Sequence, residues 1–203
     1  MINLNIVTRC TRFEYLDKIY EQIFAPSNFK ITWWILFDIF NREINPELVV
    51  KLSKKNINLR FFYGVPGDMG HSYLNQIYDD IEDGYIYNLD DDNSLHENFY
   101  GEIFNLISDT QSKVIVFDQY IGGKDFSQLE VRTACPENMK VSRVDFAQIL
   151  FHKSLTVDTK LVSNYYCADG VLIEELYQKH PNEFLFVNKI LSYYNYFTNL
   201  FQL

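Results

Sequence analysis

The sequence predicts a doubly wound α/β domain built on a mostly parallel sheet. Short apolar segments alternate along the chain with segments whose apolar residues recur at helical spacing. Segment 31–37 is apolar almost throughout, which is typical of a parallel strand covered on both faces. Asp38 and Asp90 each end a predicted strand. In such sheets the carboxyl ends of the strands form the edge at which ligands bind.

The predicted elements alternate regularly as far as residue 118. The first helix begins near Arg12 and ends before Pro26, because proline cannot continue a helix. Glycine and proline between 64 and 70 indicate a loop. The predicted strands are 4–9, 31–37, 58–63, 85–89 and 114–117, and the later predicted helices are 46–54, 72–81 and 97–108.

Beyond residue 118 the pattern is weaker. Residues 119–142 offer no readable chemistry, 144–151 is strand-like, 169–179 has the pattern of a helix, and 184–196 is an apolar segment of mixed character. The sequence contains no internal repeat, low-complexity tract or clear linker, and its 203 residues suit one domain. We therefore predict a single domain, 1–203.

Charge and cysteine content exclude several classes of protein. The net charge is −9 and no basic cluster is present, which argues against nucleic-acid binding. The three cysteines are widely spaced, so neither a disulfide framework nor a zinc knuckle is predicted. No signal peptide is recognisable, and no apolar run approaches the roughly 20 residues of a transmembrane segment. We expect a protein of the cytoplasm, which is a reducing compartment.

The most informative segment is the acidic run Asp90-Asp91-Asp92-Asn93, which directly follows a predicted strand. Adjacent carboxylates repel one another, so a fold that packs them together must neutralise them. Mg²⁺ and Mn²⁺ prefer oxygen ligands and commonly join one or two carboxylates to substrate phosphates. The alternative is a solvated acidic turn or a helix start capped by aspartate.

A hydrophobic strand ending in this run resembles the DxD motif of GT-A glycosyltransferases, as found in family 2 enzymes and in the glucuronyltransferases of proteoglycan synthesis. Residues 4–12 are similar to the first strand and loop of that fold. Asp38 stands where family 2 enzymes usually carry an aspartate that meets the uracil ring. Asn75 is placed similarly to the asparagine of their Gly-x-x-x-x-Arg-Asn helix start, although the arginine is absent here. The resemblance covers most of 3–117 and, more loosely, 143–180.

This resemblance implies a GT-A fold with a nucleotide-sugar-binding half, 1–118, and an acceptor-side half, 119–203. It implies that Asp92, assisted by Asp90, binds Mn²⁺ or Mg²⁺, which stabilises the departing diphosphate. Asp90 would also lie near the ribose, and Asp91 would help to hold sugar or ribose hydroxyls. Thr8, near the end of the first strand, would lie at the nucleotide. The two arginines that follow, Arg9 and Arg12, could meet phosphate or base; Arg12 could equally begin a solvated helix face.

An inverting enzyme of this kind also needs a general base for the acceptor hydroxyl. Asp169 stands at the start of a predicted helix, at about the place where family 2 enzymes carry an acidic base, and it could alternatively cap that helix. Asp145 is the second candidate, or it could bind sugar hydroxyls. Some GT-A enzymes recruit a late histidine to the metal, so His152 is a candidate ligand; a structural role is the alternative.

Three functions therefore compete. The first is transfer of a sugar from a nucleoside diphosphate, expected to be UDP, to a hydroxyl of a glycan or other acceptor. The second is a non-catalytic GT-A-like module that binds nucleotide sugars or a protein partner. The third, a nucleotidyltransferase, is disfavoured because the loop Thr8-Arg9-Cys10-Thr11-Arg12 lacks the glycine-rich sequence that such enzymes carry after the first strand.

Overall fold

A computed structural model describes residues 1–38, 46–54, 57–62, 70–121, 130–162 and 165–200; the side chains at 38, 57, 59–62, 199 and 200 lie outside the description. The strands are β1 (Ile2–Cys10), β2 (Phe29–Asp38), β3 (Ile57–Phe62), β4 (Tyr85–Asn88), β5 (Ser94–Leu95), β6 (Val114–Ile121), β7 (Glu130–Arg132), β8 (Ile149–His152) and β9 (Phe184–Tyr194). The α-helices are α1 (Leu16–Gln22), α2 (Pro46–Leu52), α3 (His71–Asp80), α4 (Phe99–Thr110), α5 (Ala168–Lys179) and α6 (Tyr196–Leu200).

The described strands form one sheet with the order β3-β2-β1-β4-β8-β6-β9-β5, and β7 pairs with β6. The first four strands in this order are parallel. Strand β8 runs antiparallel to both β4 and β6, whereas β9 is parallel to β6. The parallel part comes from the first half of the chain, so the alternating strand and helix pattern predicted this half of the sheet correctly.

Three elements differ from the sequence prediction. The first helix begins as a 3₁₀ turn, Phe13–Tyr15, before α1. Segment 144–151 holds a 3₁₀ turn, Phe146–Gln148, ahead of β8, because the Asp145 side chain caps that turn and Gln148 Oε1 accepts from the Asp145 backbone N–H. The apolar segment 184–196 is the long strand β9. The predicted loop 64–70 lies outside the described residues except for Gly70.

Apolar side chains of the sheet fill two cores, one on each face. The alternation of β2 shows this clearly, since Trp33 and Trp34 enter different cores. Trp33 is fully buried and Trp34 nearly so, and both therefore contribute to packing. Helices α1 and α4 cover the first core, and α3 and α5 cover the second. Burial on both faces leaves the strand ends as the exposed edge of the parallel part.

No helix within the described ranges combines the length and the apolar character needed to cross a membrane.

Candidate active site

The acidic run begins directly after β4, at the carboxyl edge of the parallel strands. The Leu89 backbone N–H donates to the carbonyl of Val7, so the strand pairing with β1 extends to the start of the run. The chain then turns, with the Asn93 N–H donating to the Asp90 carbonyl at 3.1 Å. After this turn, Asp90 pairs with Arg9, whereas Asp91 and Asp92 both pair with Arg12.

Asp90 forms a two-point ion pair with Arg9 at the end of β1. Arg9 Nε lies 2.9 Å from Asp90 Oδ1, and Arg9 Nη2 lies 2.6 Å from Oδ2. This parallel geometry is the strongest form of an arginine–carboxylate contact. Burial opposes the charge of Arg9, yet Asp90 outweighs it and raises the pKa of Arg9. On its other side, Arg9 Nη1 lies 3.1 Å from Nε2 of the buried His71 at the start of α3.

Asp91 is 2% exposed and holds the loop that follows β1. Its Oδ2 accepts backbone hydrogen bonds from Thr11 at 2.5 Å and Arg12 at 2.6 Å, and Arg12 Nη1 lies 3.0 Å from its Oδ1. Burial raises the pKa of Asp91 to about 6, against the opposing effect of these donors. The resemblance implied that Asp91 helps to hold sugar or ribose hydroxyls. In this structure its side chain instead binds groups of the protein itself.

Asp92 contacts the same arginine as Asp91. Its Oδ2 lies 2.5 Å from Arg12 Nη1, and its side chain is 12% exposed. Burial and the neighbouring charge of Asp90 raise the pKa of Asp92, while Arg12 opposes the shift. Behind the run, the backbone N–H groups of Phe197 and Asn195 donate to the Asp92 carbonyl and the Asn93 side chain. The segment after β9 therefore fixes the position of the acidic run.

Asp145 belongs to a polar network with side chains of β6 and β7. Its Oδ1 accepts from the Ala147 backbone at 2.9 Å and from Gln119 Nε2 at 3.3 Å. Arg132 Nη1 donates to Gln119 Oε1 at 2.7 Å and lies 3.8 Å from Asp145 Oδ2. Burial and then the charge of Asp90 raise the pKa of Asp145 to about 6, although Arg132 opposes them.

Asp169 lies in the first turn of α5. Burial raises its pKa, the Gly170 backbone and Arg9 oppose the shift, and the charge of Asp90 adds to it. Asp90 thus acts electrostatically on both Asp145 and Asp169, and Arg9 acts on Asp169. The structure therefore brings the acidic run and both candidate bases into one electrostatic neighbourhood.

Two of the predicted contacts of the nucleotide have other partners in this structure. The Thr8 hydroxyl is buried and accepts a hydrogen bond from Trp33 Nε1 at 2.9 Å. Asn75 exchanges two hydrogen bonds of 2.9 Å with the Leu161 backbone and so joins α3 to the segment before α5. Asp38 ends β2, as predicted, but its side chain lies outside the described part of the structure.

His152 lies at the opposite end of β4 from the acidic run. It pairs in register with Tyr85, the first residue of β4, while Asp90 follows the last. Its Nδ1 lies 3.0 Å from the Ser154 hydroxyl, and its Nε2 lies 3.5 Å from Asp83. The structure thus does not bring His152 and Asp92 together, because the strand pairing places the histidine at the amino edge of the sheet.

Sequence reasoning missed the residues on β6, β7 and β9 that border Asp145. The Arg132 guanidinium lies 5.0 Å from the ring centre of Tyr194, on the same side as Gln119. Gln119 lies just beyond the apolar run of its strand. A polar residue after an apolar strand is the signal that identified Asp90, and the same signal could have identified Gln119. Arg132 and Tyr194 have no such signal, since their proximity depends on long-range strand pairing.

Together, the parallel strands β1 to β4, the antiparallel β8 and the flanking helices form the GT-A fold. The predicted fold class is confirmed by solved structures of S. aureus TarS. TarS 1-349 superposes with a TM-score of 0.68 and 14% identity, covering 95% of this chain and 60% of that chain. TarS 1-349 in complex with UDP has a TM-score of 0.65 and 12% identity over 99% of this chain and 64% of that one.

TarS 1-349 in complex with UDP-GlcNAc has a TM-score of 0.59 and 14% identity, over 96% of this chain and 58% of that one. The present chain thus spans about three fifths of the length of TarS 1-349. No protein-family model matches the sequence, and no curated protein matches it. At 12–14% sequence identity, the structural likeness to TarS establishes the fold alone.

Proposed function

We propose that this protein is a glycosyltransferase that uses a UDP-linked sugar and a hydroxyl acceptor. The observation that carries the proposal is the position of Asp90 at the carboxyl edge of a GT-A sheet, where its charge acts on the buried carboxyl groups of Asp145 and Asp169. Ligands of open α/β sheets bind at this edge. Structures of TarS with UDP and with UDP-GlcNAc share the fold and support the choice of donor.

The donor's diphosphate needs positive charge, and two arginines lie among the carboxylates. Arg9 and Arg12 are the basic side chains in contact with the acidic run in the described part of the chain. Their N–H groups suit phosphate oxygens in the same way as carboxylate oxygens. A nucleotide entering at this edge would therefore meet both basic groups and carboxylates that match ribose and sugar hydroxyls.

A divalent metal fits the chemistry of Asp92 best. Asp90 has both oxygens on Arg9, and Asp91 holds the loop after β1. No cluster of three acidic, histidine or cysteine side chains suited to a metal occurs among the described residues. Mg²⁺ and Mn²⁺ nevertheless bind diphosphates with only one or two carboxylates. When bound, Mn²⁺ or Mg²⁺ would supply electrostatic stabilisation of the leaving diphosphate.

Asp169 is the proposed general base. Its carboxylate accepts the proton of the acceptor hydroxyl, the acceptor oxygen forms a bond to the anomeric carbon, and the bond from that carbon to the diphosphate oxygen breaks to release UDP. A raised pKa brings a carboxyl group closer to neutral pH, where it takes up a proton more readily. The backbone of the first turn of α5 and Arg9 keep the charged form accessible.

Asp145 is the second carboxylate of the proposed site. Its Oδ1 already accepts from Ala147 and Gln119, and its Oδ2 lies 3.8 Å from Arg132, so the side chain is fixed in position. A fixed carboxylate suits a hydrogen bond from a sugar hydroxyl better than a proton transfer that changes its charge. Asp145 is therefore assigned to sugar binding and is the alternative base.

Titration calorimetry of UDP, with Mn²⁺ and separately with a chelator, tests the proposal. We expect binding that Mn²⁺ strengthens and that substitution of Arg9 by glutamine weakens by about tenfold. The exposed Arg143, replaced in the same way, provides the matched control. Undetectable UDP binding under both conditions would reject a nucleotide-sugar enzyme.

A non-catalytic module that binds nucleotide sugars is the second candidate. The observation that favours it is internal neutralisation, since Arg9 and Arg12 occupy carboxylate oxygens that a metal and substrate would otherwise use. Such a module would bind UDP, yet it would neither transfer nor hydrolyse the sugar, and replacement of Asp169 would change nothing. The Asp169 substitution described in the Discussion separates the two.

A further inference from the structure

Arg12 contacts two carboxylates of the acidic run with one nitrogen. Its Nη1 lies 2.5 Å from Asp92 Oδ2 and 3.0 Å from Asp91 Oδ1. This nitrogen therefore carries a positive charge at an oxygen of Asp92, the residue that the proposed function assigns to the metal. A cation bound at that oxygen and the guanidinium would repel each other at such a distance.

The two carboxylates depend on Arg12 to different degrees. Asp91 keeps the backbone N–H groups of Thr11 and Arg12 as donors whatever the position of the Arg12 side chain. Among the described residues, the Asp92 side chain is paired with Arg12 and with its own backbone N–H, and no pair of loop donors like that of Asp91 contacts it. If the guanidinium moved, Asp91 would still be compensated, and Asp92 would gain a free oxygen.

The Arg12 side chain is partly exposed to solvent. It is 36% exposed, compared with 19% for Arg9, whereas its Nη1 is buried against the acidic run. Arg9, in contrast, is held by both oxygens of Asp90 and by His71. Because the Asp92 side chain is only 12% exposed, loss of Arg12 would leave a buried charge unpaired, so the Arg12–Asp92 pair opens when another cation takes the place of the guanidinium.

We propose that Arg12 is the resident counter-ion of Asp92 and competes with a divalent cation for this carboxylate. The inference rests on the proposed function only in assigning the metal to Asp92. Metal binding then requires release of the guanidinium, which becomes available to an incoming diphosphate. The protein would consequently bind the metal weakly by itself and more tightly with nucleotide, because phosphate oxygens compensate both cations.

Titration of the full chain with Mn²⁺ in the absence of nucleotide tests this competition. Replacement Arg12→Gln removes the competing charge and is expected to tighten Mn²⁺ binding by about tenfold. Replacement Arg12→Lys keeps the charge without the planar fork and is expected to give an intermediate affinity. Arg143→Gln, at an exposed position, is expected to match the wild type.

The double substitution Arg12→Gln with Asp92→Asn locates the effect. If the gain in Mn²⁺ affinity belongs to Asp92, this protein binds Mn²⁺ no better than the wild type. Unchanged or weaker Mn²⁺ binding by Arg12→Gln would overturn the inference, as would absence of Mn²⁺ binding in every variant. Should Arg12→Gln fail to fold by circular dichroism, Arg12→Lys decides: tighter binding than wild type supports competition, and equal or weaker binding rejects it.

Failure here and failure of the proposed function give different results. Tighter Mn²⁺ binding by Arg12→Gln, with no UDP binding by any variant, would keep the competition and reject the nucleotide-sugar function. UDP binding by the wild type, with Mn²⁺ affinity unaffected by Arg12, would keep the function and reject the competition. In the second case Arg12 serves only to fix the loop after β1.

Discussion

Asp90, Asp91 and Asp92 are adjacent in sequence, but each has a different environment. Asp90 meets Arg9, Asp91 holds the loop after β1, and Asp92 meets Arg12. Arg12 Nη1 also lies 3.0 Å from Asp91, so one arginine joins the second and third carboxylates of the run. A run that looks like one acidic feature therefore contains a structural carboxylate beside two that border the proposed ligand site.

Replacement of Asp169 by asparagine tests catalysis at the residue scale. We expect sugar transfer, or hydrolysis of the donor in the absence of acceptor, to fall by about 100-fold or more, because asparagine cannot accept the proton. UDP affinity is expected to stay within about twofold, since the base contacts the acceptor. The measurement is turnover of UDP-GlcNAc, with calorimetry for UDP.

Two further substitutions make this result specific. Asp109→Asn changes an exposed aspartate of α4 and is expected to leave turnover unchanged. Asp145→Asn is expected to weaken binding of the sugar while retaining measurable turnover. Equal turnover in wild type and Asp169→Asn would remove Asp169 as the base. Complete loss in Asp145→Asn alone would transfer the role to Asp145.

At the scale of elements, the sequence predicted those stabilised by local pattern. The strands and helices up to residue 118 have a clear period, and the structure contains them within a few residues. Strand β9 was not predicted because its burial is mixed and its ladder pairs with β6, from the middle of the chain. The position of β9 depends on long-range contacts, which the periodicity of the local sequence does not indicate.

The turn before β4 allows a sharp prediction. Gly84 has a φ of +102°, and a Cβ there would lie 2.5 Å from both the Cβ and the carbonyl oxygen of Asn3. Replacement Gly84→Ala combines backbone strain with a steric clash, and we expect it to lower the free energy of unfolding by about 2–4 kcal/mol. Denaturant unfolding followed by circular dichroism measures the change.

Gly101 provides a control for which the expected change in the free energy of unfolding has the opposite sign. It lies in α4 at an exposed position, and a Cβ there would meet nothing within 4 Å. Gly101→Ala is expected to raise the free energy of unfolding by about 0.5–1 kcal/mol, because alanine favours the helix. A loss of less than about 0.5 kcal/mol in Gly84→Ala would contradict the described turn.

The link between α3 and the segment before α5 is the second test at this scale. Asn75→Ala removes both hydrogen bonds to the buried Leu161 backbone and is expected to cost about 1–3 kcal/mol of unfolding free energy. The exposed Asn105→Ala in α4 controls for loss of an asparagine. If Asn75→Ala lost UDP affinity without losing stability, Asn75 would instead belong to the nucleotide site.

At the scale of the whole molecule, the candidate site joins distant parts of the chain. Asp90 could be predicted because it follows a strand with a clear pattern and resembles a known motif. Asp145 and Asp169 were predicted by position only, and their electrostatic link to Asp90 depends on the packing of β8 and α5. Arg132 could not be predicted at all, because strand pairing alone brings it to Asp145.

This concentration of carboxylates makes stability depend on pH. Burial raises the pKa of Asp91 and of Asp145 from the ordinary 3.8 to about 6 in the folded protein. The folded state therefore favours the neutral form of each group. Their contribution to stability is fully present below about pH 4 and is lost as the pH rises through about 6.

Asp145→Asn isolates one of these contributions, because asparagine keeps the capping oxygen and has no charge. We expect the free energy of unfolding of the variant, relative to wild type, to increase by about 1–3 kcal/mol between pH 4 and pH 7. Urea unfolding at several pH values measures it, with Asp109→Asn as the exposed control. A constant difference between variant and wild type would show that Asp145 is charged throughout this range. In that case Arg132 and Gln119 would stabilise its charge more strongly than burial opposes it.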